Sequence, residues 1–144
     1  QNQPEKTEEA SWYDDNGERW QRMGDIGRVD EEGFVTLLGR SKDMIISGGF
    51  NIYPRDLEDA LLKQPEVVDA AVIGIPSKEW GETPLGFVVA AGGKVLDLAA
   101  VCARANAELG KTQRISALRQ LDELPRSHIG KILKTALREQ VAET

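Results

Sequence analysis

Apolar residues near the N-terminus alternate with polar ones around two clusters of turn-forming residues. The first cluster reads DDNG at 14–17, between Trp12 and Trp20, and the second reads DEEG at 30–33, within residues 28–38. Asp, Asn and Gly favour hairpin turns because they tolerate a left-handed backbone or hydrogen-bond to it. The pattern therefore predicts two β hairpins, which follow a polar, acidic stretch without periodicity over residues 1–10.

From residue 44 onward, short apolar runs alternate with helical patterns. Strands are predicted over residues 44–46, 67–75, 85–91 and 115–121, and helices over residues 54–64, 97–109 and 132–140. Residues 77–84 are interpreted as a polar loop. This alternation predicts an α+β fold, in which the last three of these strands form a sheet that is packed by about three helices and preceded by the β hairpins.

Residues with known positional preferences mark the ends of these helices. Pro54 suits a first helical turn, Asp97 is a typical N-cap, and Gly110 is expected to end the second helix. In the last helix, Leu133, Ala136 and Leu137 share one face at helical spacing and are predicted to point inward.

Composition narrows the class of protein. The 144 residues carry a net charge of −6, which argues against nonspecific nucleic-acid binding. A single cysteine, Cys102, favours a reducing, cytoplasmic location and is expected to fill a core position. No apolar run approaches the roughly 18 residues of a membrane span, and no signal peptide is visible. No Cys/His cluster indicates a metal site.

Several glycine-rich stretches have a structural and a chemical interpretation. Gly130-Lys131 precedes an apolar helical pattern, inside a segment without acids from residue 126 to 138. It lacks the earlier glycine of a phosphate-binding P-loop, as does Gly110-Lys111. A lysine here is either a solvated surface residue in the first turn of a helix or part of a receptor for an anion. Gly48-Gly49 is either a plain turn or a place where a ligand approaches the backbone.

Three stretches taken together resemble one known family. They read GDIG at 24–27, GRSKDMIISGGFNIYP at 39–54 and LPRSHIGKI at 124–132. In this order they closely resemble the C-terminal part of the adenylate-forming, AMP-binding enzymes, which include acyl-CoA synthetases, adenylation domains of peptide synthetases and luciferases. The stretch GGFNIYP is most similar to the fatty-acyl-CoA and aryl-CoA ligase branch.

The resemblance implies a division of the chain and a missing partner. Residues 1–38 would be the distal end of the large N-terminal AMP-binding domain, and residues 39–144 the small, mobile C-terminal lid domain. Family members are several times longer, and their phosphate loop and acyl pocket have no counterpart here. The chain would then be a fragment that is inactive alone and whose partner is the N-terminal domain of the same polypeptide.

The resemblance also implies a two-step reaction and a role for each matched residue. A carboxylic acid and ATP, with Mg²⁺, would give an acyl-adenylate, which then forms a thioester with coenzyme A. By position, Lys131 matches the catalytic lysine, Asp25 and Arg40 the nucleotide-binding pair, and Lys42 the hinge. The loop that guides the coenzyme A thiol matches Ser47, Gly48, Gly49 and Phe50.

Some residues depart from the family pattern, and two other functions stay open. The run from Lys111 to Arg114 lacks the usual Tyr-Lys-x-Pro, so the resemblance does not identify the basic residues that meet the nucleotide end of coenzyme A. Lys134 replaces a common arginine. The alternatives to a fatty-acid–CoA ligase, of long- or medium-chain type, are an adenylation domain that loads a carrier protein and a noncatalytic binding module.

Overall fold

A computed structural model describes residues 9–143 of the chain. Most of the aperiodic N-terminal stretch, residues 1–8, and Thr144 lie outside the described residues. The chain divides into two compact units, the first ending at Lys42 and the second beginning at Asp43. Within the described residues, no helix is long and apolar enough to cross a membrane.

The first unit consists of the two predicted hairpins. Their strands are β1 (Ser11–Tyr13), β2 (Arg19–Gln21), β3 (Asp25–Val29) and β4 (Val35–Arg40). Trp12 pairs with Trp20 across the first hairpin, and Val29 pairs with Val35 next to the turn of the second. Both hairpin predictions are confirmed.

One aspartate organises each turn. The Oδ1 of Asp14 accepts the backbone N–H groups of Asn16 and Glu18, both at 2.9 Å, and its Oδ2 accepts the indole N–H of Trp20 at 3.0 Å. The Trp20 bond is the main reason that the pKa of Asp14 lies below its usual range. Asp30 likewise accepts the amides of Glu32 and Phe34.

The second unit is a five-stranded sheet with three α-helices. Its elements are β5 (Ile45–Ser47), β6 (Phe50–Ile52), α1 (Pro54–Leu62), β7 (Val67–Ser77), β8 (Gly81–Ala90), α2 (Leu98–Ala107), β9 (Ala117–Leu121) and α3 (Lys134–Ala142), with a short 3₁₀ helix at Ala91–Gly93. The strand order is β6-β5-β8-β7, and β9 pairs parallel to β8. The remaining neighbours are antiparallel.

Alternate residues of the central strands build two hydrophobic clusters, one on each face of the sheet. In β7, Ala70 and Val72 join the cluster that contains α1 and α2 residues, whereas Ala71 and Ile73 join the cluster around Leu137 of α3. This alternation follows from the two-residue period of a strand. The mostly apolar run that predicted a buried strand is therefore buried on both faces.

The α+β class is confirmed, but the sheet has five strands rather than three. The difference comes from β5 and β6, a short hairpin that joins the edge of the sheet through Ser47 and Gly81. The predicted polar loop at 77–84 is also wrong in extent. Ser77 still pairs with Gly81, so only residues 78–80 connect β7 and β8.

The observed helix ends agree only in part with the caps predicted from the sequence. Pro54 occupies the first turn of α1, and the Oδ1 of Asp97 accepts the Ala100 amide at 3.1 Å, as predicted. The second helix, however, ends at Ala107, and Gly110 does not adopt the left-handed conformation of a glycine cap. The last helix begins at Lys134 instead of residue 132.

The late start of α3 changes which leucine faces the core. Leu137 is fully buried, whereas Leu133 lies before the helix and is 39% exposed. The prediction that Leu133 points inward is wrong, because the chain around it forms a hairpin with Pro125 before the helix begins.

The buried and exposed leucines of this region give a direct test of the packing. We expect Leu137→Ala to lower the free energy of unfolding by about 2–5 kcal/mol, the usual cost of emptying a core leucine site. Leu133→Ala serves as the control, with an expected loss of about 1 kcal/mol or less. Urea denaturation followed by circular dichroism measures both, and equal losses would contradict this assignment of the core face.

Candidate functional site

Asp25 and Arg40 form an ion pair at the open end of the β3–β4 hairpin. The two residues are cross-strand partners, with Nε of Arg40 3.5 Å from Oδ1 of Asp25. The side chain of Arg40 is 56% exposed and that of Asp25 is 32% exposed. An exposed pair of this kind adds little to stability, about 0–1 kcal/mol. Because both side chains are partly exposed, both groups remain accessible to a polar ligand.

Lys42 lies at the junction of the two compact units. It is exposed in the turn that follows β4, and no ion pair of its side chain occurs within residues 9–143. The next residue, Asp43, belongs to the second unit and contacts Arg138 of α3 at 3.4 Å. The anchored part of the second unit thus starts directly after Lys42.

Gly48 and Gly49 form the two-residue turn of the β5–β6 hairpin. Their φ values are 57° and 82°, and Ser47 pairs with Phe50 on either side. Positive φ at both central residues is the type I′ arrangement, which strongly favours glycine. Neither this hairpin nor the five-stranded sheet is predicted by the sequence pattern.

The two glycines face different surroundings. The Gly48 amide donates to the carbonyl of Trp80 at 2.9 Å, and a Cβ on Gly48 would lie 2.8 Å from the Trp80 ring. Gly48 is therefore required for close packing on the residues that connect β7 and β8. A Cβ on Gly49 would meet nothing within 4 Å, so this glycine faces open space.

A cavity of about 430 Å³ opens beside this turn. Its wall combines two aromatic side chains, two cations and several hydroxyls, which include Phe50, Trp80, Lys111, Thr112, Arg114 and Ser116. The volume lies within the usual range of small-molecule sites. Aromatic faces next to cations suit a ligand that carries both a flat ring and negative charge.

Lys131 lies in a hairpin turn, not in the first turn of a helix. Arg126 and Ile132 form an antiparallel bridge, and Ser127 closes the turn by donating its amide to the Lys131 carbonyl at 2.8 Å. Gly130 has a φ of 86°, which a side chain would rarely adopt. The predicted helix start at this lysine is therefore wrong, because α3 begins at Lys134.

Lys131 differs from its basic neighbours in having no carboxylate partner within the described residues. Arg126 pairs with Asp69, Lys134 with Glu58 at 2.7 Å, and Arg138 with Asp43 at 3.4 Å. Lys131 is exposed and makes no such pair. Its positive charge is the uncompensated one in the segment from residue 126 to 138.

The two turns are attached to opposite ends of the β7–β8 ribbon. The Lys131 turn is tied to Asp69 near the start of β7, and the glycine turn to Trp80 and Gly81 beyond its end. A strand rises about 3.3 Å per residue, which puts Asp69 and Ser77 roughly 25 Å apart along β7. The second unit thus carries two separate candidate sites.

Sequence reasoning missed the residues that support these turns. Trp80, Lys111 and Arg114 approach the glycine turn from distant parts of the chain, and Asp69 supports Arg126 from another strand.

Cys102 lies half-buried against the core, as predicted, and burial raises the pKa of its thiol. Within residues 9–143, no group of three or more His, Cys, Asp or Glu side chains is arranged to hold a metal ion.

Curated CoA ligases are similar to this chain over most of its length. The long-chain-fatty-acid–CoA ligase FadD13 of Mycobacterium tuberculosis is 41% identical over 143 residues, which are 99% of this chain and 27% of that ligase. The 2-succinylbenzoate–CoA ligase of Bacillus cereus is 41% identical over 124 residues, covering 86% of this chain and 25% of the ligase.

A solved structure and a sequence family also match this chain. ATP-bound MatB from Rhodopseudomonas palustris superposes with a TM-score of 0.82 at 39% identity, over 95% of this chain and 26% of MatB. The chain therefore spans about a quarter of the length of the proteins that it matches. The profile of the AMP-binding enzyme C-terminal domain matches residues 56–131 and ends on Lys131. This chain belongs to the AMP-binding enzyme C-terminal domain family.

Proposed function

We propose that this chain is the C-terminal part of an ATP-dependent acyl-CoA ligase. Residues 1–38 complete the large AMP-binding domain, and residues 39–144 form a mobile lid. The observation that carries the proposal is the separation of the Lys131 turn and the glycine turn at opposite ends of one ribbon. Two sites whose attachment points lie roughly 25 Å apart along β7 suit two successive steps at a single reacting centre.

In the first step, Lys131 assists the formation of the acyl-adenylate. A carboxylate oxygen attacks the α-phosphorus of ATP, and pyrophosphate leaves with the electron pair of the broken P–O bond. The two reactants are both anions, so their approach needs a cation between them. The ammonium of Lys131, which is exposed and has no carboxylate partner among residues 9–143, supplies that charge and stabilises the phosphoryl oxygens in the transition state.

Asp25 and Arg40 bind the nucleotide in this proposal. A carboxylate accepts hydrogen bonds, so Asp25 suits the two ribose hydroxyls as donors. Arg40 lies beside it and provides a fixed cation next to the same ligand. The described residues offer no acidic cluster for Mg²⁺, and the phosphates of ATP would be the main ligands of that ion.

In the second step, the glycine turn guides the thiol of coenzyme A. The sulfur attacks the acyl carbon of the adenylate, a thioester bond forms, and AMP leaves. Gly49 faces open space, which lets the narrow pantetheine arm pass close to the backbone. The adjacent cavity takes the nucleotide end, where Lys111 and Arg114 meet phosphate oxygens and Phe50 and Trp80 offer ring faces.

A rotation of the lid domain connects the two steps. Lys42 is the hinge in this proposal, because it is the last residue of the first unit and precedes the anchored Asp43. Turning the second unit about this residue withdraws Lys131 and brings in the glycine turn. Lid motions of this kind commonly separate the steps of an enzyme reaction.

The missing partner is the N-terminal domain of the same polypeptide. Large apolar side chains on the two hairpins remain exposed, with Trp12 at 48%, Trp20 at 52%, Phe34 at 68%, Val35 at 65% and Leu37 at 58%. Apolar clusters of this kind usually mark a surface that another domain covers. The short coverage of the relatives, about a quarter of their length, supports the same conclusion.

The half-reactions of the full-length ligase separate the roles of the two turns. We expect Lys131→Ala to lower adenylation by about two to three orders of magnitude, or roughly 3–4 kcal/mol, because a transition-state charge is lost. Gly49→Leu should instead slow thioester synthesis, because a side chain obstructs the thiol. Pyrophosphate exchange measures the first step, and thioester formation from synthetic dodecanoyl-adenylate measures the second.

Two matched variants and the isolated chain control this experiment. Lys94→Ala removes another exposed lysine, and Gly93→Leu imposes a similar strain at a glycine with φ of 67° and no neighbour within 4 Å. Neither should affect either step. The 144-residue chain alone should give no exchange, and exchange by it would refute the fragment assignment. Equal slowing of both steps by both turn variants would refute the two-site lid.

The cavity is tested through the affinity for coenzyme A. Lys111→Ala and Arg114→Ala should each raise the KM for coenzyme A about fivefold to tenfold, as expected for roughly 1–1.5 kcal/mol of lost charge-assisted bonding. Adenylation should be unchanged. Arg55→Ala, at an exposed position on α1, is the control. Repeating the assay with 3′-dephospho-CoA identifies the phosphate involved, and an unchanged KM in both variants would exclude this cavity.

We place the acyl substrate among long- or medium-chain fatty acids. The identity to a long-chain-fatty-acid–CoA ligase, which extends over 99% of this chain, supports this choice. An exchange assay of the full-length ligase with short-, medium- and long-chain fatty acids, indoleacetate and 2-succinylbenzoate should give the highest kcat/KM for a medium or long chain. A preference for either aromatic acid would overturn the substrate class but not the ligase assignment.

A further inference from the structure

The turn that carries Lys131 is closed mainly by bonds within itself. The Ser127 amide donates to the Lys131 carbonyl, the Gly130 amide donates to the Ser127 carbonyl at 2.9 Å, and Leu133 donates to the Pro125 carbonyl at 2.8 Å. The Lys131 amide also donates to Ser127 Oγ at 3.2 Å. These bonds fix the shape of the turn. Leu124 and Ile132 pack against sheet side chains and hold the base of the turn, whereas its tip around Gly130 is exposed.

Arg126 connects the tip of this turn to the sheet. One guanidinium nitrogen, Nη1, donates to the carbonyl of Gly130 at 2.8 Å, and the other, Nη2, pairs with Oδ2 of Asp69 on β7. Gly130 immediately precedes Lys131, so the bonded carbonyl belongs to the peptide group that also contains the Lys131 nitrogen. A single side chain thus spans from the ladder to the backbone of the lysine.

Asp69 is itself held in a defined orientation. It pairs with Val89 in the β7–β8 ladder, and its Oδ1 accepts the amide of Ala70 at 3.0 Å, which leaves Oδ2 for Arg126. A contact between arginine and a carboxylate combines charge attraction with directional hydrogen bonds, because the guanidinium is a planar fork. The contacts therefore run from the ladder to Asp69, to Arg126, to the Gly130 carbonyl.

We infer that Arg126 is a positioning residue for Lys131, with Asp69 as its anchor. The inference rests on the proposed function, in which Lys131 assists adenylation. Arg126 acts on the backbone of the turn and leaves the Lys131 ammonium free. Positioning matters for the rate because a displacement of about 1 Å at a reacting group can cost about a hundredfold. Lysine cannot replace Arg126 fully, since a single ammonium lacks the two-pronged geometry.

The test uses the full-length ligase with Arg126→Gln, Arg126→Lys and Asp69→Asn. We expect Arg126→Gln to lower the kcat of adenylation about tenfold to a hundredfold with the KM for ATP nearly unchanged. Arg126→Lys should lie between this variant and the wild type. Asp69→Asn should also slow adenylation, and should add nothing further when combined with Arg126→Gln, because both act through one connection. Thioester synthesis from dodecanoyl-adenylate should be unaffected.

Arg104→Gln is a closely matched control. Arg104 also pairs with a carboxylate, Glu66, and its side chain is 47% exposed, compared with 44% for Arg126. The two acids are 30% and 29% exposed. Losing the Arg104 pair should leave both half-reactions unchanged. Hydrogen exchange of the peptide over residues 125–133 should become faster in Arg126→Gln and not in Arg104→Gln.

The outcomes separate the inference from the proposed function. Unchanged adenylation in Arg126→Gln, while Lys131→Ala abolishes it, would overturn the positioning role alone. Equal loss of both half-reactions in Arg126→Gln, with a lower melting temperature than Arg104→Gln, would also overturn it in favour of a general structural role. Unchanged adenylation in Lys131→Ala would overturn both the function of the lysine and the inference built on it.

Discussion

The antiparallel ladder between β7 and β8 is the constraint on which the second unit depends. Its central side chains are fully buried and alternate between two hydrophobic clusters, so helices pack on both of its faces. A ribbon enclosed in this way resists bending, because protein interiors are packed as densely as organic crystals. The length of the ladder therefore fixes the distance between the points at which the Lys131 turn and the glycine turn are attached. Chemistry that needs both turns at one reacting centre has to move the unit as a whole.

The sequence predicts well those features that neighbouring residues determine. Asp14 and Asp30 each accept amides two and four residues further on, so both hairpin turns are encoded within a few positions. Asp97 caps its own helix through Ala100 in the same way. The strands β7 and β8 were visible because burial on both faces leaves an almost continuous apolar run. In these cases the physical cause lies within the stretch of sequence that shows the pattern.

The features that the sequence did not reveal depend on contacts between distant residues. Asp69 and Arg126 meet because β7 and the Lys131 turn are neighbours in the fold, and no periodicity records such a pair. The cavity beside Gly48 is similar, since Lys111 and Arg114 approach it from the loop before β9. The strand β6 was missed because it has three residues and follows a double glycine, which looks like a break instead of a turn.

A cation that serves a passing anion must be held in place without being neutralised. Within residues 126–138, Arg126, Lys134 and Arg138 each have a carboxylate partner, and these pairs cancel their own charge. Lys131 keeps its charge, although the chain as a whole is at −6. A carboxylate placed directly on the Lys131 ammonium would fix it more firmly, but it would also compete with a phosphate for the same charge. A contact to the Gly130 carbonyl avoids that competition, because it restrains the backbone and leaves the ammonium available. The arrangement around this turn thus separates the groups that hold the lysine backbone from the ammonium that we propose meets the substrate.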